Sequence, residues 1–213
     1  MSIPAVDLSS KTIGFLGCGK ISSCMVRGYA TARGTQRPRA ILVSKRTEGK
    51  SLALAAEFPE CVEVCEDNAD LVNRSDVVFL GLLPPVAKEL LPGMPFGGAS
   101  SSKLIISMLA AMDIDELRAL CSGVPNSQIV RTVPLPSVAR HQGPILVHPC
   151  HMNCISVLDI VGTPVLCEKE EEMKPLVCLT GMCTATFMCL PTASRQHASL
   201  LLFTYSFIIF THN

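Results

Sequence analysis

The chain has 213 residues, of which 48% are hydrophobic and 5% aromatic, and its formal net charge at pH 7 is zero. This length suffices for one well-packed core, or for a main domain with a smaller appendage. The charge balance provides no basic surplus for nucleic acid binding and no acidic surplus typical of a disordered chain, so no nucleic acid partner is expected.

The 11 cysteines and the N-terminus together indicate the compartment. Disulfide frameworks occur mostly in short secreted chains that follow a signal peptide, and residues 1–11 contain no apolar signal segment. We therefore predict a cytoplasmic protein with reduced, mostly buried cysteines. The longest apolar run, residues 200–210, is shorter than the roughly 20 residues of a membrane span, so no membrane association is expected.

Apolar strands and helical patterns alternate from residue 12 to about residue 150. In chain order, the predicted strands are residues 12–17, 40–46, 61–66, 76–83, 103–109, 127–136 and 143–149, and the predicted helices are residues 21–33, 49–58, 67–75, 85–94 and 113–121. Short apolar strands separated by helices are typical of a parallel sheet covered on both faces. The pattern predicts a doubly wound α/β fold, in which ligands bind beyond the carboxyl ends of the strands.

The alternation stops after residue 150, and residues 168–190 have a helical pattern with an acidic start that suits the helix dipole. We place the boundary at residue 160. Residues 1–160 are then a nucleotide-binding domain, and residues 161–213 are a short, incomplete helical segment that ends in the apolar tail.

Two glycines, Gly17 and Gly19, stand where the first strand meets the first helix. The first would allow a tight turn, and the second would let the backbone approach a pyrophosphate at the helix N-terminus. Ser22 replaces the third glycine of the dinucleotide pattern and is small enough for close packing. A Gly-x-Gly pair also fits an ordinary turn, but its place on the first strand favours a dinucleotide site. Lys20 would either neutralise phosphate charge or lie solvated.

The end of the second strand indicates which cofactor binds. NAD sites usually have an acidic residue here, whereas this chain has Ser44, Lys45 and Arg46. A hydroxyl and two cations suit the 2′-phosphate of NADP(H), which an arginine can contact through two hydrogen bonds. NADP(H) is therefore favoured over NAD(H). A solvated basic turn is the alternative.

Histidines and cysteines cluster at His148, Cys150, His151 and Cys154. Such ligands suit zinc, but the cluster lacks a Cys-x-x-Cys pair, and ligands this close need a sharp loop to face one ion. We predict no metal site. Cys178, Cys183 and Cys189 approach helical spacing and are interpreted as core residues.

Six segments, in order and with matching spacing, resemble the N-terminal domain of pyrroline-5-carboxylate reductases. They are residues 13–22, 43–46, 67–68, 76–84, 104–111 and 129–143, and a weaker similarity continues at residues 179–187. The resemblance implies a Rossmann-type domain followed by a helical dimerisation domain. It also implies NAD(P)H-dependent reduction of a cyclic imine, 1-pyrroline-5-carboxylate, to proline, and hence a role in proline biosynthesis.

The resemblance also implies positions for the cofactor. The pyrophosphate would lie on residues 16–21, the adenosine half near Ser44 and Asn68, and the nicotinamide beside the turns after the fourth and fifth strands. With the basic residues after Ser44, the predicted cofactor-binding set is Leu16, Gly17, Cys18, Gly19, Lys20, Ile21, Ser44, Lys45, Arg46, Asn68, Gly81, Leu82, Leu83, Pro84, Met108, Leu109 and Ala110.

The chain departs from the family in several places. Leu83 replaces a lysine, Leu135 replaces an asparagine, and residues 183–187 replace a Ser/Gly-rich turn that opens the dimerisation domain. The family's catalytic threonine lies on later helices that the sequence does not match, so no catalytic residue is assigned. We expect a shortened or alternatively ended product, with a homodimer formed through the C-terminal segment. The alternatives are a non-catalytic NADP-binding protein and a reductase of another imine or carbonyl substrate.

Overall fold

The structure is a computed structural model, which describes residues 6–45, 48–97 and 102–178. The strands are β1 (Thr12–Leu16), β2 (Ala40–Ser44), β3 (Val62–Cys65), β4 (Val77–Leu80), β5 (Leu104–Ser107), β6 (Ile129–Pro134), β7 (Pro144–His148) and β8 (Thr163–Leu166). The helices are α1 (Lys20–Ala30), α2 (Glu48–Glu57), α3 (Asn68–Arg74), α4 (Pro84–Leu90), α5 (Ile114–Leu120) and α6 (Met152–Asp159). The predicted α/β fold is confirmed.

The strands form one sheet in the order β3-β2-β1-β4-β5-β6-β7-β8. The first six strands are parallel, whereas β7 runs antiparallel to β6 and parallel to β8. A fully parallel sheet was predicted. The difference arises because residues 135–143 hold only a short 3-10 turn and no crossover helix, and parallel neighbours need a crossover of a dozen or more residues.

Side chains of the central strands alternate between two hydrophobic clusters. On one face, the rings of Phe15 and Phe79 stack with centroids 4.8 Å apart. On the other face, Gly14 leaves room for α3, since a Cβ atom at this position would lie 2.2 Å from Ser75 Oγ. This close packing fixes α3 against β1 and thereby places the start of α3 near the carboxyl edge of the sheet.

The chain divides into two compact units, Met1–Glu170 and Glu171–Asn213. The first unit includes β8 and therefore extends past the boundary expected at residue 160. Residues 170–178 are helical, as the acidic pattern predicts. The apolar tail, Cys183 and Cys189 lie outside the described residues. None of the helices in the described ranges is long and apolar enough to cross a membrane.

Candidate nucleotide-binding site

The sheet provides a natural ligand site where β1 lies between β2 and β4. From β1 the chain adds β2 and then β3 on one side of the sheet. It then returns to β4 on the other side of β1 and adds β5 beyond it, so the order of the strands reverses between β1 and β4. In open α/β sheets a crevice forms at such a switch point, outside the carboxyl ends of the strands. The predicted glycine turn lies there.

Gly17 occupies a position that only glycine fits. Its φ is +93°, and an added Cβ atom would lie 2.4 Å from the carbonyl oxygen of Gly81. Gly81 itself follows β4, and its N–H donates to the carbonyl oxygen of Leu16 at 2.8 Å. The turns after β1 and β4 are therefore in direct backbone contact, which brings the two predicted glycine positions together.

Gly19 differs from Gly17 because its surroundings are open. It is the N-cap residue of α1, has an ordinary φ of −77°, and carries no side chain that could accept from the first N–H groups of the helix. An added Cβ atom would meet no described atom within 4 Å. Open space in front of a helix N-terminus is a favourable position for an anionic group. Leu16 and Cys18 are buried, Ile21 is half-buried and Lys20 is exposed.

Ser44, the last residue of β2, holds the glycine turn in place. Its Oγ accepts a hydrogen bond of 2.8 Å from the N–H of Gly17, and its carbonyl oxygen accepts one of 2.7 Å from Ser51 Oγ. The side chain is buried but borders the cleft. The sequence assigned Ser44 to the cofactor's ribose or phosphate. The structure adds the hydrogen bond from Gly17 to Ser44, which no pattern in the sequence indicates.

A cleft of about 530 Å³ extends from the glycine turn along the edge of the sheet. Three predicted residues with polar or backbone groups border it: Gly17, Ser44 and Asn68. Asn68 is the first residue of α3, whose N-cap Asp67 accepts from the N–H groups of Ala69 and Asp70. The remaining lining residues are Leu82, which was predicted, and Val86, Glu89, Leu90, Gly93 and Met94, which were not.

The basic turn after β2 is only partly described. Lys45 Nζ forms an ion pair of 2.6 Å with Glu66 at the end of the neighbouring strand β3. Arg46 lies outside the described residues. A phosphate contact by Lys45 would therefore compete with Glu66, and the preference for NADP(H) stays a prediction from the sequence.

The predicted nicotinamide side lies on β4 and β5, across the switch point from β2. Leu83 is 71% exposed, and Pro84 occupies the first position of α4. Met108 is half-buried and Ala110 exposed, whereas Leu109 is buried and its N–H donates to Ser107 Oγ at 3.2 Å. The side chain of Leu109 therefore packs in the core rather than facing solvent.

The histidine and cysteine cluster lies at the end of β7 and the start of α6, toward the β8 edge of the sheet and away from the glycine turn. His151 caps α6 through Nδ1, which accepts from the N–H of Cys154, and His148 Nδ1 donates to the carbonyl oxygen of Cys167 at 3.0 Å. Burial raises the pKa of the Cys154 thiol. Within the residues that the structure describes, no group of three or more His, Cys, Asp or Glu side chains could hold a metal ion.

Comparison with known proteins shows which proteins the part of the chain that carries this site resembles. Residues 12–111 match the family model described as "NADP oxidoreductase coenzyme F420-dependent". Pyrroline-5-carboxylate reductase of Methanosarcina acetivorans is 30% identical over 128 residues, which are 60% of this chain and 45% of that protein. Over part of its length the chain is similar to the pyrroline-5-carboxylate reductases. The resemblance expected from the six segments is confirmed.

Two solved structures share the fold of this chain. The reductase from Coxiella burnetii has a TM-score of 0.65 at 18% identity, covering 93% of this chain and 77% of that one. A reductive aminase from Aspergillus terreus, in complex with NADPH and ethyl levulinate, has a TM-score of 0.63 at 17% identity, covering 84% and 64%. The chain spans about half the length of the curated pyrroline-5-carboxylate reductases it matches.

The family match covers every predicted cofactor position, since these lie between residues 16 and 110. Two leucines, Leu83 and Leu135, replace polar residues of the pyrroline-5-carboxylate reductase pattern. They lie beyond the carboxyl ends of β4 and β6. Leu83 follows β4 and projects into solvent, and Leu135 follows β6 and is half-buried. Neither can supply the charge or hydrogen bond that a lysine or an asparagine would.

Proposed function

We propose that the chain binds NADP(H) at the switch point and is an oxidoreductase that transfers hydride to the C=N bond of a cyclic imine, 1-pyrroline-5-carboxylate. The observation that supports this most is the backbone contact between Gly17 and Gly81, which leaves an open helix N-terminus at Gly19 beside the cleft. Such a turn accepts a pyrophosphate, because its N–H groups and the helix dipole favour negative charge.

The residues present fit a dinucleotide in one direction. The pyrophosphate would lie over residues 17–19, and the adenosine half would extend toward Ser44 and Asn68 in the cleft. The nicotinamide half would then point toward Gly81 and Met108 on the opposite side of β1. The cofactor supplies the hydride, and the chain contributes binding, orientation and exclusion of water around the reacting carbon.

Replacing Arg46 by alanine is expected to weaken NADPH binding more than NADH binding. Hydrogen bonds to a charged group contribute about 1.5–3 kcal/mol, so the loss for NADPH should be about 10-fold to 100-fold. Titration followed by fluorescence measures both affinities. Arg33→Ala is the matched control, because it removes an exposed cation beyond the carboxyl end of α1, away from the glycine turn. Equal losses for the two cofactors would contradict phosphate recognition at this turn.

A direct assay tests the reaction. NADPH should raise the melting temperature of the protein, and its absorbance should fall when 1-pyrroline-5-carboxylate is added. A rise in melting temperature without turnover would favour the alternative of a non-catalytic NADP-binding protein. Turnover with other cyclic imines or carbonyl compounds, but not with 1-pyrroline-5-carboxylate, would indicate a different substrate.

One observation favours a second candidate function, the reduction of another imine or a carbonyl compound. The exposed Leu83 presents an apolar side chain at the mouth of the crevice, where a substrate carboxylate would gain no partner from it. The A. terreus reductive aminase, whose structure contains NADPH and ethyl levulinate, has the same fold. The cytoplasmic location, the homodimer and the role in proline biosynthesis stay predictions from the sequence.

A further inference from the structure

A buried ion pair holds the segment that follows β5. Arg131 lies on β6 and is buried; its Nη1 is 2.7 Å from Glu170 Oε1, and its Nη2 donates to the carbonyl oxygen of Ala110 at 2.6 Å. The same Glu170 oxygen accepts from the N–H of Ile114 at 2.8 Å. Two side chains distant in sequence thus fasten both ends of residues 110–114.

This pair is a poor source of stability by itself. Arg131 Nε is buried and has no hydrogen-bond partner among the described residues, and the side chain of Glu170 is only 17% exposed. Desolvating two charges generally offsets their attraction unless every donor is satisfied. A buried pair with an unsatisfied donor calls for an explanation other than stability.

The segment held by the ion pair, residues 110–114, follows a turn that lies beside the contact between Gly17 and Gly81. This turn continues from β5, whose carboxyl end neighbours that of β4. The N–H of Met108 donates to the carbonyl oxygen of Leu80 at 2.9 Å, and a Cβ atom at Gly81 would lie 3.3 Å from Met108 Cε. Gly81 in turn contacts Gly17. A displacement of residues 110–114 would therefore disturb Met108 and the nicotinamide side of the crevice, whereas Ser44 and Asn68 border the cleft on the other side of β1.

We propose that Arg131 and Glu170 are positioning residues, which hold residues 110–114 and thereby fix the turn after β5 where it borders the nicotinamide half of the cofactor. This inference rests on the proposed NADP(H) site. Neither side chain need touch the cofactor. Arg131 acts through the carbonyl group of Ala110, and Glu170 acts through Arg131 and the N–H of Ile114.

The test compares ligands that contain and lack the nicotinamide half. Titrations with NADPH and with 2′,5′-ADP are measured for the wild-type chain, Glu170→Ala and Glu170→Gln. Hydrogen exchange of the ligand-free proteins reports on residues 109–114. Asp115→Ala is the matched control, because it removes a carboxylate from the same region whose side chain is 87% exposed and forms an ion pair with Arg118 three residues along the helix.

Glu170→Ala is expected to speed exchange at residues 110–112, beyond the directly freed Ile114. It should weaken NADPH binding about 10-fold while 2′,5′-ADP binding changes less than about two-fold, because 2′,5′-ADP lacks the nicotinamide half that the displaced segment would border. Glu170→Gln keeps an acceptor oxygen and should recover part of the loss. If the alanine variant fails to fold, the glutamine variant still provides the comparison of the two ligands, with a smaller selective loss of NADPH affinity than that expected for alanine.

Four outcomes would overturn the inference. Exchange at residues 110–112 that matches wild type would show that the pair does not hold the segment. Equal weakening of both ligands, or the same selective loss in Asp115→Ala, would show a general structural role. Failure of the wild-type chain to bind either ligand would instead remove the proposed NADP(H) site, and the positioning role with it.

Discussion

Gly17→Ala is expected to destabilise the protein by about 3 kcal/mol or more and to abolish NADPH binding. A positive φ costs an L-residue about 1–2 kcal/mol, and overpacking in a tight site adds about 1–3 kcal/mol. Both apply here, because φ is +93° and the new Cβ atom would lie 2.4 Å from a backbone oxygen that cannot rotate away. In a domain of this size the melting temperature should fall by about 6–12 °C, measured by circular dichroism.

Gly19→Ala separates binding from folding. At Gly19 the added Cβ atom meets no described atom, and the backbone is one that alanine adopts readily. Stability should change by less than about 1 kcal/mol, the ordinary effect at a helix N-cap. NADPH affinity should nevertheless fall about 10-fold or more, because the methyl group would occupy the space of the pyrophosphate. Wild-type affinity in this variant would place the diphosphate elsewhere.

Much of the fold was predictable because the apolar pattern of each segment agrees with its position in the folded sheet. β1 is apolar throughout and ends at Gly17, and the strand order makes this end a switch point. The predicted helices 67–75 and 113–121 begin at Asp67 and Asp113, which cap α3 and α5, and aspartate is a preferred N-cap residue. These elements obey simple rules of periodicity and capping, so a single sequence sufficed to find them.

α6 and β8 were missed for physical reasons. α6 begins at a histidine cap, His151, which is not among the usual N-cap residues. β8 is a short edge strand of four residues that includes Pro164 and exposes Leu166, so it lacks the apolar run of a buried strand. The edge position tolerates proline because one side of the strand needs no partner.

The site was predictable only in part, because some contacts join residues that are far apart in sequence. The glycine turn follows a known pattern, whereas the hydrogen bond from Gly17 to Ser44 spans 27 positions. The lining residues on α4, such as Val86 and Leu90, lie one helical turn apart and could equally have been core residues. The pair of Arg131 and Glu170 spans 39 positions and has no local signal.

Gly81→Ala tests how closely the turn after β4 approaches α1. Its φ is not in the positive range that Gly17 has, so the strain would come from contact alone. The added Cβ atom would lie 2.1 Å from Ser22 Oγ and 3.0 Å from the carbonyl oxygen of Gly17. Ser22 is buried and occupies the place of the third glycine in the dinucleotide pattern. We expect a loss of about 1–3 kcal/mol, measured by urea unfolding.

Removing the obstructing hydroxyl should rescue this loss. Ser22→Ala alone is expected to cost less than about 1 kcal/mol, and the double variant should be more stable than Gly81→Ala, with a coupling energy of about 0.5–3 kcal/mol. Gly49→Ala, where an added Cβ atom meets no described atom within 4 Å, controls for the loss of glycine flexibility and should be neutral or slightly stabilising. Additive effects of the two substitutions would mean that Ser22 and Gly81 are not in contact. In that case the close approach of α1 to β4, on which the open helix N-terminus at the switch point depends, would be absent.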